Sequence, residues 1–568
     1  MTRNIRVPPP QLRGSPPSLP HGVDLWGRTE ARNARLGEHL MVHLSSNLIE
    51  YWSGKNQTSR FFLSTSTLLS VTEMDNKWAE EKGTAADHEE DLSKSHSIID
   101  KNINADEAPA IDAFSGQDDS EANKALLRKQ DIRLIPICAM MYLLAYLDRS
   151  NIGNAKVMNS ETNSDLLSST GMTSNQYSVA LMVFLIAYTI FEAPSNFFLK
   201  KLGPSKWFSF LLCSWGTISM CLGAVQNFGG ITAARFILGI FEAGLAPGLA
   251  YYISFWYRAN ERSLRLAFIY STATLAGAFG GLIAYGISHM ENVAGLEAWR
   301  WLFILEGAPS VLFGIFIFFY LPDYPESPRF LNTEEKELAV LRMEYNGSKG
   351  SAGSMKWADA KAVLLDWRLY LHYIVYFSKS CPFSSLSLFA PSITKGLGYD
   401  SFEAQLMTVP PYVAAFVVTI ALSFYCDKYN KRAVTTICLM LVGAVGFILS
   451  ACLPVTDYHG RYAGLIIACC GTFATIPILL GWLSANLRST SAQGLALALN
   501  ISFGAPGQIA GVWIYKSTEA ATGYPTGHWT NGALLLAGAV LTGVLVALYT
   551  YRNRRIDSGL SSGQKWAL

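Results

Sequence analysis

The chain has 568 residues, of which half are hydrophobic and only 15% charged, and its mean hydropathy is +0.22. A soluble protein carries about a quarter charged residues, so the composition excludes an ordinary soluble globule. A formal net charge of +2 removes the electrostatic footprint expected of a nucleic-acid binder.

Residues 1–130 are polar and interrupted by Pro, Ser and charges. The stretch 75–131, with DHEEDLSKSHS and DKNINADEAP, predicts a disordered cytoplasmic tail. No sustained apolar run follows a charged start, so no secretory signal peptide is expected. Residues 1–73 differ in flavour, opening with VPPPQLRGSPPSLP. Two readings stay open for them: a translated extension, or an overextended gene model with Met74 as the start.

From residue 131 onward the apolar runs are long enough for membrane-spanning helices, which need about 20 such residues. Twelve are predicted: 132–157, 175–199, 206–226, 229–256, 264–288, 299–321, 368–393, 404–426, 433–453, 461–484, 491–515 and 531–551. A polar stretch divides them six and six. It holds PDYPESPRF, the short helical pattern NTEEKELAVLRMEY, and the Gly/Ser-rich NGSKGSAGS. The expected organisation is therefore an all-α membrane protein of two pseudo-symmetric six-helix bundles. Its parts are a tail (1–130), one bundle (131–322), a cytoplasmic central loop (323–366), a second bundle (367–552) and a second tail (553–568).

Short cytoplasmic loops collect Lys and Arg. One set of loops carries Lys200, Lys201 and Lys206, then Arg258, Arg262 and Arg265, then Lys428, Lys431 and Arg432, and finally Arg552, Arg554 and Arg555. The opposite set has little beyond Lys156, Arg300, Lys395, Arg461 and Lys516. Both termini and the central loop are thus expected in the cytoplasm. The nine cysteines all lie in or beside apolar runs, with no CxxC or HExxH spacing. That pattern disfavours a disulfide scaffold or a metal site, and no cofactor is expected.

An ionisable group at membrane depth costs about 2.5–3.5 kcal/mol and is a functional candidate by default. The first span ends in YLDRSNIGNAKV (146–157). Counted from residue 132, Asp148 lies about 24 Å along the helix; either the span ends there, or it continues and buries Asp148 and Arg149. In the fourth span, Arg235 and Glu242 are seven residues apart, nearly two turns, and share one face about 10 Å apart. Interhelical pairing is the plainer alternative for both. Pairing is also the simpler reading of Glu192 and Glu306. Lys379 could attract an anion or snorkel, and Asn500 and Gln508, on a Gly-rich eleventh span, could contact a ligand. No nucleophile–base pair appears, so an enzyme is not expected.

The second and eighth spans each lead into a basic turn, NFFLKKLGPSKW (196–207) and SFYCDKYNKR (423–432). Both resemble the loop motif of the major facilitator superfamily, a small residue followed by Asp-Arg-x-Gly-Arg-Arg. Gly203, Lys200 and Lys201 belong to the first copy, and Asp427, Lys428 and Arg432 to the second. The first has Lys200 where the acid belongs, so an altered latch is expected. Further motifs resemble the anion:cation symporter family of that superfamily, closest to the fungal allantoate, nicotinate and pantothenate permease branch. They are YLDRSNIGNAKV, FEAPSNFFLKKLGPSKW (191–207), RFILGIFEAGLAPGLAYYISFWYRANER (235–262), WRWLFILEGAPS (299–310), SLSLFAPSI (385–393), LNISFGAPGQIAGVWIYK (499–516) and GYPTGHWTN (523–531).

The resemblance implies proton-driven uptake of a small organic anion through a plasma-membrane protein, expected to be a monomer. It implies an Asp-Arg pair on the first helix and an Arg/Glu pair on the fourth, matched here by Asp148, Arg149, Arg235 and Glu242. In the expected mechanism Arg149 and Arg235 hold the substrate carboxylate and Asp148 and Glu242 titrate, while Tyr146, Lys379 and Asn500 are candidate substrate contacts from their own positions in the spans. Export of an anionic secondary metabolite, or nutrient sensing with low flux, is the alternative.

Overall fold

A computed structural model describes residues 121–345 except 327 and 329, 361–558 except 362, 488 and 489, and residues 565–567. The expectations for 1–120 and for the Gly/Ser-rich part of the central loop lie outside the described residues. The described chain is helical, and helices occupy all twelve expected span positions.

These are α1 (Glu121–Val157), α2 (Ser174–Leu202), α3 (Pro204–Leu222), the two-piece α4 (Phe228–Glu242 and Leu245–Trp256), α5 (Ala259–Ser288) and α6 (Ala298–Tyr320). The second set is α7 (Trp367–Lys395), the two-piece α8 (Ser401–Leu406 and Val409–Tyr429), α9 (Arg432–Cys452), α10 (Tyr458–Ala485), α11 (Thr490–Trp513) and α12 (Pro525–Asp557). Ten of the twelve are long and apolar enough to cross a membrane. The other two, α3 and α7, are diluted by polar residues; in α7, Ser378, Lys379, Ser380, Ser384 and Ser385 are all buried. Large apolar side chains such as Phe197, Leu312, Phe319 and Val540 instead lie exposed. The ordinary inside–outside rule is inverted, as a lipid solvent requires.

The packing repeats. In the first six helices α1 pairs with α5, α2 with α4 and α3 with α6; in the second six, α7 pairs with α11, α8 with α10 and α9 with α12. Between the halves, α5 lies on α8 and α10, α2 on α11, and α1 on α7. Lipid gives helices no hydrophobic reason to associate, so close backbone approach supplies the attraction. At the α3–α6 crossing, a Cβ on Gly216 would come within 2.8 Å of the Gly307 carbonyl oxygen, and one on Gly307 within 2.7 Å of that of Gly216.

Helix α1 begins at Glu121, so residues 121–130 are helix rather than tail. They are too polar for lipid and are held by ion pairs instead. Lys129 Nζ donates to Glu335 Oε2 at 2.7 Å, and Arg265 Nε to Asp131 Oδ1 at 2.6 Å. Glu335 lies on the central-loop helix Thr333–Tyr345, whose buried Arg342 also donates to Glu261 Oε1 at 2.5 Å. At the Val157 end of α1 the two halves meet in polar contacts. Gln405 Nε2 donates to the Asn154 carbonyl at 3.1 Å, Ser160 and Ser401 hydroxyls are 3.1 Å apart, and Lys395 bonds Ser160.

Candidate functional site

Successive residues of a helix point about 100° apart, and this rotation separates Asp148 from Arg149. The Asp148 carboxylate is fully buried and turns into the first half, accepting from Ser219 Oγ of α3 at 2.6 Å and Ser310 Oγ of α6 at 2.7 Å. The Arg149 guanidinium turns towards the second half, where Nη2 donates to Gln508 Oε1 of α11 at 3.0 Å. It lies over three aromatic rings, Tyr146 (5.6 Å), Phe184 (5.1 Å) and Tyr188 (4.9 Å). Cation–π contact of this kind stabilises a partly desolvated guanidinium.

Arg235 is 1% exposed. Its Nη2 donates to Asn151 Oδ1 at 3.4 Å, and the Phe184 and Phe303 rings lie 5.9 and 6.0 Å away. Arg149 and Arg235 line one small cavity with Tyr146, Phe184, Phe383 and Gln508. The lining comes from both halves, so the cavity sits on their interface.

Glu242 closes the first piece of α4, just before the interruption at Ala243 and Gly244. A Cβ on Gly244 would strike Ser195 of α2, so the break lets the two helices touch. The Glu242 side chain is buried and its Oε2 has no hydrogen-bond partner. Glu306 of α6 is buried with neither oxygen hydrogen-bonded. Among the described residues, none of the four interior acids (Asp148, Glu192, Glu242, Glu306) pairs with a basic side chain within 4 Å.

The remaining candidates fall elsewhere. Lys379 is buried on α7, its ammonium over the Tyr376 ring (4.0 Å) and the Phe383 ring (5.0 Å) rather than on the cavity wall. Asn500 is buried with its Oδ1 unpartnered and does not reach the cavity, whereas Gln508, about two turns further along α11, does. Ser219, Ser310 and Asn151, which hold Asp148 and Arg235, escaped the sequence analysis because a lone Ser or Asn in an apolar run carries no pattern.

The two loop motifs differ as their sequences do. In the second copy Arg432 Nη2 donates to Asp427 Oδ1 at 2.8 Å, while Lys428 lies over the Tyr429 ring. In the first copy Gly203 has a φ of 89°, open to glycine, and Lys200 lies over the Tyr251 ring while Lys201 is exposed. The missing acid is supplied from the end of the first half: Asp323 Oδ1 accepts from the Ser205 backbone N–H at 2.7 Å, at the start of α3. An acid at a helix N-terminus is favourably placed against the macrodipole.

A helical bundle built as two matching halves with a cavity on their interface is the architecture of a membrane transporter. The chain belongs to the Major Facilitator Superfamily, whose family model matches residues 138–512. It is 57% identical over 437 residues to MFS transporter prlL of Fungal sp. (strain NRRL 50135), covering 77% of this chain and 88% of that one. It is 35% identical to the MFS-type transporter cnsO of Penicillium expansum, over 78% of this chain and 86% of the relative. Among solved structures, the proton:xylose symporter XylE bound to 6-bromo-6-deoxy-D-glucose superposes with a TM-score of 0.56 at 17% identity, over 73% of this chain and 95% of XylE. At that identity the likeness concerns the fold. Members of this family transport small molecules and are not enzymes.

Proposed function

We propose that this protein is a proton-coupled symporter that takes up a small organic anion by alternating access. It would act as a monomer in the plasma membrane with both termini in the cytoplasm. One observation carries the reading: Arg149 and Arg235 line the same inter-half cavity, and among the described residues neither has a carboxylate partner within 4 Å. Buried charges are normally paired, so this cavity is built for an anion that arrives from outside. A guanidinium matches a carboxylate in bidentate geometry. The cavity's Tyr146, Phe184 and Phe383 walls suit an apolar or aromatic body behind the carboxylate.

Asp148 and Glu242 are the proton carriers in this scheme, both set back from the cavity wall. Lys379 and Asn500, which lie off the cavity wall, would act on the substrate only indirectly, through α7 and α11, and the two basic loops (Lys200, Lys201, Gly203; Asp427, Lys428, Arg432) control the cytoplasmic gate. Moving a monoanion inward against an inside-negative potential costs about 2.3 kcal/mol per 100 mV, and one proton cancels that cost. The anion:cation symporter motifs of the sequence support the same assignment.

The test is uptake of radiolabelled nicotinate, pantothenate, allantoate and tartrate at acidic and neutral external pH, with and without protonophore. Accumulation of one of them, stronger at acidic pH and abolished by protonophore, is the expected result. Accumulation insensitive to both overturns proton coupling. Lower retention in expressing cells than in controls would make the direction export.

A further inference from the structure

Helix α11 of the second half is tied to the first half by two polar links of opposite charge. Gln508 accepts from Arg149 of α1 at 3.0 Å, and Ser502 Oγ donates to Glu192 Oε2 of α2 at 3.3 Å. The two links are six residues apart, about 9 Å along the helix. The opposite inter-half seam, where α5 meets α8, has the Phe268 and Phe424 rings in contact at 5.5 Å. The α11 side thus carries two links that each involve an interior charge, Arg149 and Glu192, whereas the Lys395 and Glu161 contacts between the halves lie at the Val157 end of α1.

Glu192 is 2% exposed, and its second oxygen, Oε1, has no partner. The Arg149 guanidinium lies over the ring of Tyr188, about one turn before Glu192 on α2. Tyr270 of α5 and Tyr376 of α7 are the other phenols in the electrostatic surroundings of Glu192. On α4, packed along α2, Arg235 and Glu242 act on Arg149 rather than on Glu192. Among the described residues, the cation placed to act on this acid is therefore Arg149, the proposed substrate ligand.

We propose that Glu192 is a further proton-binding residue of the transport cycle, and that Glu192 and Arg149 together form a clasp on α11 that proton and substrate release jointly. The proposal rests on the symport reading above. A substrate carboxylate replaces Gln508 at Arg149, which frees one end of the clasp. It also neutralises the cation that favours ionised Glu192, so anion and proton bind cooperatively. A proton on Glu192 turns the Ser502 link from a charge-assisted bond into an ordinary one, roughly halving its strength. Neither ligand alone opens both links, and this makes leakage of either one alone slow. The proton enters from the outer solution with the anion and leaves to the cytoplasm when the anion departs.

The experiment uses the full chain in lipid nanodiscs and labels it with dicyclohexylcarbodiimide, which reacts with protonated carboxyls in membranes, mapping the sites by mass spectrometry across a pH series. Labelling of Glu192 with a defined pH midpoint is expected. Arg149→Gln should move that midpoint upward by about one pH unit or more, as loss of a neighbouring cation does. Glu192 unlabelled at every pH, or a midpoint indifferent to Arg149→Gln, overturns the proposal.

In proteoliposomes, Glu192→Gln should reduce accumulation about tenfold per unit of pH gradient for each proton lost, while substrate exchange persists. Glu192→Asp should restore accumulation. Full accumulation in Glu192→Gln, or joint loss of accumulation and exchange without rescue by Asp, overturns it. Should the wild type accumulate no carboxylate of the panel, the symport reading falls, and the labelling midpoint still decides the protonation of Glu192.

Discussion

Asp148 and Arg149 are neighbours on α1, and their side chains bond to different halves of the molecule. The carboxylate is sealed among Ser219 and Ser310 inside the first half, while the guanidinium reaches Gln508 across the interface. An acid and a base that adjoin in sequence but do not pair can change charge separately. The proposed symport uses that independence, with substrate meeting the cation while the proton meets the acid.

Arg149→Lys tests whether the cation acts through its fork or only through its charge. Lysine is a compact point charge with no bidentate geometry, and its ammonium would not span the Tyr146, Phe184 and Tyr188 rings as the guanidinium does. Uptake kinetics should show KM raised about tenfold or more, since a hydrogen bond to a charged group contributes about 1.5–3 kcal/mol. An unchanged KM would remove Arg149 from the binding site.

Glu242→Gln should abolish proton-driven accumulation and leave substrate counterflow in place. The side chain is buried with an unpartnered oxygen, so a neutral amide of the same size fits without a lost ion pair. Counterflow and pH-driven uptake measured on one preparation separate the outcomes. Equal loss of both would make Glu242 a structural residue.

Ser310→Ala removes one of the two donors on the Asp148 carboxylate. Leaving a buried acceptor less satisfied costs about 1–3 kcal/mol, and the ionised form bears that cost. Thermal unfolding in detergent should show a lower Tm, and the pH optimum of uptake should move upward, because protonation of Asp148 becomes easier. A lower Tm with an unmoved optimum would confine Asp148 to packing.

The helix positions were legible in the sequence because lipid demands long apolar runs and tolerates few charges. The interior charges were legible for the same reason, as each is an expensive exception. Orientation about the helix axes was not. Periodicity places Asp148 and Arg149 on different faces, but only packed neighbours reveal that Arg149 faces α11. The same limit separates Asn500 from Gln508, similar amides about two turns apart on α11, of which only the second reaches the cavity. Contacts between distant segments left no signal either. Lys129 holds α1 to Glu335, and Asp323 takes the place beside Gly203 that Lys200 leaves vacant.

The Lys129–Glu335 contact gives the last prediction, which concerns the central loop. Hydrogen bonding from Lys129, together with the Asn332 backbone N–H, holds the Glu335 carboxyl below its ordinary value. A carboxyl lowered by folding stabilises the folded arrangement above its unfolded value, and that contribution disappears as pH falls through the folded value. The contact is partly exposed, with side-chain accessibilities of 39% and 30%, so solvent and salt screen it. Backbone hydrogen exchange of residues 333–345 should therefore be slow at neutral pH and low salt, and faster in acid or high salt after correction for the intrinsic rate. Lys129→Ala should reproduce the acid behaviour at neutral pH, leaving the Arg342–Glu261 bond and the Arg258 Nε bond to the Arg342 carbonyl to dock the helix. Protection unchanged in that variant would assign the docking to Arg342 alone.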